Sequence, residues 1–241
     1  MQNHFMKKLL ISTLFLFLTI TLFSQANRSE FNLGLRQINI EQEQSTLGLT
    51  KGEYKNLKGS PYVNEKFVLS KIYKGKEVTF NDIHLRYNAF SDEIEIRNSE
   101  INSKITYGAL IKNSKQTIKI FNTTYVFVSY ENSNIKGNYF EVLSEQKLFD
   151  LYKKTTVKFY QPVEAKTSYD KNKPAEFKHF HTYYLVDKKK SFNELPSNKN
   201  KLLKVLSKEN KKVKDFAKKN KLNLDKDKDL IRLVSYYNSL Q

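Results

Sequence analysis

The chain has 241 residues and no cysteine, is 39% hydrophobic with 15 Tyr and 17 Phe, and carries 42 Lys and Arg against 25 Asp and Glu, a formal net charge of +17. The lack of cysteine excludes structural disulfides, thiol catalysis and cysteine-ligated zinc or iron–sulfur centres, and leaves no residue for lipidation of a lipoprotein. Stability must therefore come from a core, and this length suffices for one domain of about 150 residues with an appendage, its aromatic residues supplying much buried area per side chain.

At the N-terminus Lys7 and Lys8 precede an apolar run over residues 9–23, and polarity returns at Ser24 and Gln25. A basic pair, a short apolar core and a polar junction are what signal peptidase reads. Residues 1–24 are thus expected to be a signal peptide and the remainder an exported protein of the periplasm or cell surface. The run is shorter than the roughly 20 residues of a spanning helix and no basic stop-transfer cluster follows it, so no transmembrane span is expected after cleavage.

Residues 25–62 have weak patterning: Gly34, Gly48, Gly52 and Gly59 interrupt a polar, Gln-rich stretch. This reads as a partly ordered lead-in with one strand near residues 31–40. From 63 to 190 the pattern has period two, in runs such as FVLSKIY, EVTF, IHLRYNAF, ITYGALI, TIKIF, TYVFVSY, NYFEVLS, LYKKTTVKFY and KHFHTYYLVD. The breaks between them are rich in Asn, Ser, Gly and Asp, and Gly75 in YKGKE suits a hairpin turn. The prediction is a mainly β (α+β) protein: an antiparallel β meander curved into a half-barrel or open barrel, with a C-terminal basic helical subdomain.

That subdomain, residues 191–241, is expected to pack on the sheet. Leu202, Leu203, Val205 and Leu206 form one apolar helix face; Val213, Phe216 and Ala217 form a second, with Ser207 placed to cap its start and Asn220 to end it. Asp225 is the expected cap of a third helix, with Leu230, Ile231, Val234 and Tyr237 as its apolar positions and Asp227 and Asp229 in its first turn. Residues 188–241 hold 16 Lys or Arg against 6 Asp or Glu, whereas residues 25–187 hold 24 against 19, so most of the excess charge sits in the tail.

Three groups invite a functional reading. In SDEIEI, Asp92, Glu93 and Glu95 gather three carboxylates, but strand alternation sends Glu93 and Glu95 to the solvent face opposite Ile94 and Ile96 and leaves Ser91 and Asp92 as turn residues. A calcium loop would also need a glycine that is absent here. His179 and His181 share a strand face and could chelate zinc or copper, yet no third ligand is evident, and two solvent-facing histidines are the plainer reading. Lys211, Lys212, Lys218 and Lys219 lie on or beside a short helix whose apolar side is committed to packing; their ammonium groups are candidates for diffuse attraction to an anionic surface. The bias toward Lys over Arg suits such attraction better than bidentate phosphate recognition. No nucleophile elbow, phosphate-binding loop or zinc-protease motif is present, so the sequence selects no catalytic residue and no cofactor.

GSPYVNEKF (residues 59–67), LRYNAFSDEIEI (85–96), the Lys-rich VKDFAKKNKLNL and the ending DLIRLVSYYNSL together resemble a family of uncharacterised exported proteins of Bacteroidota bacteria. The resemblance spans most of the chain after residue 59 and implies export and a β-rich core; it transfers no activity, cofactor or catalytic residue. The expectation is a non-enzymatic cell-envelope binding or adaptor module for a protein partner, an anionic surface polymer or lipid headgroups, with no nucleic-acid partner. The alternative is a half-barrel carrier of an apolar ligand such as a lipid, which would need a lined, empty concavity.

Overall fold

The computed structural model describes residues 35–99, 105–129, 137–167, 169–207 and 211–240; the expected signal peptide lies outside them. The protein is mostly β, as the period-two runs predict. Among the described residues, all eleven strands belong to one antiparallel sheet that is not closed. In chain order they are β1 (Leu35–Ile38), β2 (Val68–Lys74), β3 (Glu77–Asn88), β4 (Glu93–Ser99), β5 (Ile105–Leu110), β6 (Gln116–Ile120), β7 (Thr123–Val128), β8 (Asn138–Ser144), β9 (Phe149–Tyr160), β10 (Glu176–Asp187) and β11 (Phe192–Leu195). Two short helices, α1 (Ile40–Ser45) and α2 (Lys51–Lys55), lie in the lead-in, and α3 (Lys199–Leu206), α4 (Lys212–Lys219) and α5 (Asp227–Ser239) form the tail.

The spatial order is β1-β5-β4-β3-β2-β6-β7-β8-β9-β10-β11. Between β2 and β3, Lys74 pairs with Glu77 around Gly75, whose φ of +63° is the positive angle that a tight hairpin loop requires. The unforeseen step comes at β6, which joins the free edge of β2 rather than that of β5. On a flat sheet β5 and β6 would then stand about 19 Å apart, at ~4.8 Å per strand. The short link between them would have to be nearly fully extended. It contains a turn instead, with Gln116 N donating to Asn113 O at 3.2 Å, so the sheet has to curl. Lys112 in this link accordingly reaches Asp92 at 2.8 Å and sits over the rings of Phe127 and Tyr139.

The concave side of the curl is filled by the sheet's own side chains. Ile94 and Ile96 are buried as predicted and pack with Ile72, Leu85, Tyr87, Ile118, Ile120, Tyr125 and Tyr139. The turn between β3 and β4 fastens the two halves. Asp92, at φ +57°, accepts hydrogen bonds from Tyr87 Oη (2.7 Å), Lys112 Nζ (2.8 Å), Lys154 Nζ and the Tyr139 backbone N–H (3.3 Å). Burial lowers the pKa of Lys154 despite the facing carboxylate, and burial, reinforced by the charge of Asp92, drives that of Tyr87 far up. One carboxylate thus ties β3 and β4 to β8, to β9 and to the link after β5.

The tail packs on β8 to β10 through a second cluster containing Leu151, Leu185, Leu202, Leu206, Val213, Leu230 and Val234. In the first turn of α5, Asp227 accepts hydrogen bonds from Tyr183 Oη and Lys153 Nζ, both at 2.7 Å, and Lys153 also pairs with Glu141 at 2.9 Å. Near the other end, Asn238 accepts from Phe149 N at 2.8 Å and donates to Phe149 O at 3.1 Å.

Local expectations in the tail need correcting. Val205 lies on the outer side of α3, half exposed. Ser207 ends α3 rather than capping α4, because its backbone N–H is still bonded to Leu203 O. Asp225 belongs to the turn before α5, its N–H held by Asn223 Oδ1 at 3.1 Å, and Lys226 takes the cap position. The sheet also runs on past residue 190, through β11, before the helices begin.

Candidate functional site

Alternation assigns Glu95 to solvent, and the structure overturns this: Glu95 is 0% exposed. Register places it opposite Arg86. Its Oε2 accepts from Arg86 Nε at 2.7 Å and lies 2.6 Å from Nη2, while Oε1 accepts from Asn88 Nδ2 at 2.9 Å. Arg86 donates further to Glu65 O (3.1 Å) and Tyr62 Oη (2.6 Å), and its guanidinium carbon lies 3.6 Å from the centre of the Tyr62 ring and 4.3 Å from that of Phe67. Residues of the lead-in and of the segment before β2 therefore cover the outer face that strand periodicity leaves to water. Glu93 pairs with Arg36 at 2.6 Å, and Asp92 is committed to its lysines. The three neighbouring carboxylates each answer a different cation and do not converge. Among the described residues no group of three or more His, Asp or Glu is placed to hold a metal ion.

The lead-in is built to cover this face. Arg36 on β1 stands opposite Ala109 on β5, which stands opposite Glu95 on β4, so Arg36, Glu95 and Arg86 share one cross-strand row. Asn39 caps α1 through Gln42 N at 3.1 Å, and Thr50 with Glu53 forms a capping box on α2. The following segment is stitched to two strands: Lys58 N donates to Ala175 O (3.0 Å), Phe177 N to Lys58 O (2.9 Å), Ala89 N to Pro61 O (2.9 Å) and Val63 N to Tyr87 O (3.0 Å). Gly59, at φ +71°, is required here, since a Cβ would lie 2.2 Å from Phe177 O.

Between the lead-in and the outer face lies a cleft of about 650 Å³, with Ile40, Leu47, Leu57, Pro61, Phe90 and Phe177 among its apolar walls and Arg36, Glu43, Arg86 and Glu93 among its charged ones. Burial, together with the charges of Glu95 and Glu93, raises the pKa of Glu43 against the opposing pull of Arg36 and Arg86. No hydrogen bond or ion pair reaches the Glu43 carboxylate among the described residues. Burial pushes Tyr62 up to about 12, with the charge of Glu95 adding to the effect. Arg86 and Glu95 are locked by their partners, so the chemistry this arrangement offers is charged recognition beside apolar walls.

His179 and His181 do share one stretch of β10, but each has its own partner: His179 Nε2 meets Ser60 O at 2.7 Å and His181 Nδ1 meets Thr155 Oγ1 at 3.1 Å. Lys211, Lys212, Lys218 and Lys219 are all exposed. The other side of α4 is occupied as predicted, with Val213 and Ala217 buried and Phe216 stacked on Tyr236 at 4.0 Å. Among the described residues no ion pair engages Lys211, Lys218 or Lys219, whereas Lys112, Lys153, Lys154 and Lys188 on the sheet side each face a carboxylate. The residues that sequence reasoning passed over are Glu43, Tyr62 and Arg86. A signal for Arg86 exists: counting outward from the β3–β4 turn places it opposite Glu95 on the same face.

No family model, curated protein or solved structure matches this chain. No described helix is long and apolar enough to cross a membrane.

Proposed function

We propose that this protein is an exported, non-enzymatic binding module of the cell envelope that meets an anionic envelope polymer or lipid headgroup through the lysine face of α4. The observation that carries this reading is a contrast in charge compensation: Lys112, Lys153, Lys154 and Lys188 on the sheet side face carboxylates, while Lys211, Lys218 and Lys219 project into solvent from a helix whose opposite side is docked. Export is supported by the basic pair and short apolar run at the N-terminus and by the resemblance to exported proteins. The carrier alternative loses support because Tyr87, Tyr125, Tyr139 and their neighbours occupy the concavity it requires.

Each exposed lysine near an anionic surface contributes about 1 kcal/mol at low salt. Replacing Lys211, Lys212, Lys218 and Lys219 with Gln should therefore weaken binding by at least roughly 3 kcal/mol, over a hundredfold, from Lys211, Lys218 and Lys219. Sedimentation with vesicles of anionic or zwitterionic lipid, and with purified lipopolysaccharide, across a salt series tests the reading. Wild-type binding should be selective for anionic material and fall as salt shortens the Debye length toward 8 Å. Equal binding by the two proteins, or binding indifferent to salt, would refute it.

A further inference from the structure

We infer that the cleft under the lead-in is a binding site for a small amphiphilic cation, an ammonium or guanidinium group carried on an apolar body. Its volume of about 650 Å³ falls within the ~300–1,000 Å³ typical of small-molecule sites, and its walls combine apolar Ile40, Leu47, Leu57, Pro61, Phe90 and Phe177 with charged Arg36, Glu43, Glu65, Arg86 and Glu93. The sign of the missing partner follows from the charges around it. Arg36 is paired with Glu93 and Arg86 with Glu95, which leaves the carboxylates of Glu43 and of the more exposed Glu65 at the cleft without an ion pair among the described residues, in a protein whose net charge is +17. The surroundings already disfavour the Glu43 negative charge through burial and through Glu95 and Glu93, so a ligand cation would remove a standing penalty rather than add an ordinary surface contact.

An anion is the poorer guest. Arg86 has its guanidinium taken up by Glu95, Glu65 O and Tyr62 Oη, and Arg36 is held by both oxygens of Glu93. An incoming carboxylate or phosphate would have to displace one of these pairs and would then sit beside Glu43. A neutral apolar guest would fill the walls but leave Glu43 unpaired. The aromatic rings of Phe90 and Phe177, packed edge to face at 5.4 Å, add faces against which a cation or an apolar body can lie.

The test uses the whole mature chain and three probes of nearly equal size: 2-phenylethylamine, 2-phenylethanol and 3-phenylpropionate, titrated at neutral pH with amide and methyl shifts followed by NMR. The amine should bind at least tenfold more tightly than the alcohol, and the carboxylate more weakly still, with perturbed resonances at Ile40, Leu57 and Phe90. Glu43→Gln should weaken the amine by about tenfold while leaving the affinity for the alcohol unchanged and without lowering the denaturation midpoint. Equal affinity for amine and alcohol, preference for the carboxylate, no binding by any probe, or an unaltered amine affinity in Glu43→Gln would each overturn the assignment. Binding is read from shifts at cleft residues, separately from any at α4, so failure here is distinguishable from failure of binding through the tail.

Discussion

Replacing Glu95 with alanine separates the two accounts of the outer face most sharply. If Glu95 sat in solvent, its loss would cost tenths of a kcal/mol. In the structure its removal leaves Arg86, whose side chain is only 10% exposed, with a buried positive charge and no counter-ion, and strips Asn88 Nδ2 of its acceptor. Breaking a buried ion pair from one side costs about 3–5 kcal/mol. Arg86 keeps Glu65 O and Tyr62 Oη and borders the cleft, which places the expected loss near the lower end, about 3 kcal/mol. For a domain of this size that corresponds to a fall in Tm of roughly 6–12 °C. The assay is a denaturant midpoint with thermal melting for Glu95→Ala beside Glu93→Ala, whose partner Arg36 is half exposed and whose loss should stay below about 1 kcal/mol. The double variant Arg86→Met with Glu95→Leu should regain most of the lost stability, because neither charge then remains to be solvated. Equal, small losses in the two alanine variants would refute the buried pair.

Two further expectations follow from the way the ends of the chain are fastened. Gly59→Ala drives a Cβ into Phe177 O and strains a positive φ, so the amides of Lys58 and Phe177 should exchange with solvent at least tenfold faster while those of α5 keep their protection; unchanged exchange would contradict the contact. Burial alone would raise the Asp227 pKa, but the hydrogen bonds from Lys153 and Tyr183 outweigh it and hold the carboxylate below its ordinary 3.8. A depressed folded pKa stabilises the docked tail above pH ~4 and loses that contribution as pH falls through the folded value. The protection factors of the α5 amides, rates corrected for the intrinsic pH dependence of exchange, should thus fall only below pH ~4, and Asp227→Asn should already have lower protection at neutral pH and lack that acid step; identical protection profiles would exclude the role given to Asp227.

What could be read from the chain and what could not divide along a physical line. Period two locates the strands and puts Ile94 and Ile96 inside because it reports one covered face, and one face is all that a single strand's pattern encodes. Glu95 escaped because the cover of its pair with Arg86 comes from Tyr62, in the lead-in that has no periodicity of its own, and from Phe67, which stands just before β2. The buried hydrogen-bonded pair satisfies both charges, so a polar residue on a strand is compatible with either solvent or a partner. Strand order escaped for a similar reason: turn chemistry identifies hairpins, but nothing local at Gln116 says that its strand will pair with β2 instead of β5. The helices of the tail were legible in their apolar positions and less so in their caps, since Ser207 and Asp225 are good capping residues by type but sit one element too early or one residue too far.

The division of the core keeps the two proposed binding surfaces on separate attachments to the sheet. Leu35, Leu47 and Leu57 of the lead-in pack against the cluster inside the curled sheet, whereas α3, α4 and α5 pack against a second cluster seated on Leu151 and Leu185. The cleft is formed by the first attachment and the lysine face by the second. β9 runs through both, with Val157 in the first cluster and Leu151 in the second, so the sheet supplies a common frame while neither attachment supplies core to the other. Charge follows the same division: among the described residues Glu43 and Glu65 at the cleft have no ion pair beside the balanced pairs of Arg36 and Arg86, and Lys211, Lys218 and Lys219 have none on the docked helix. The field of exposed tail lysines decays with a Debye length of about 8 Å at physiological salt, which leaves Arg36, Arg86, Glu43, Glu65 and Glu93 in its walls as the main charges acting on the cleft.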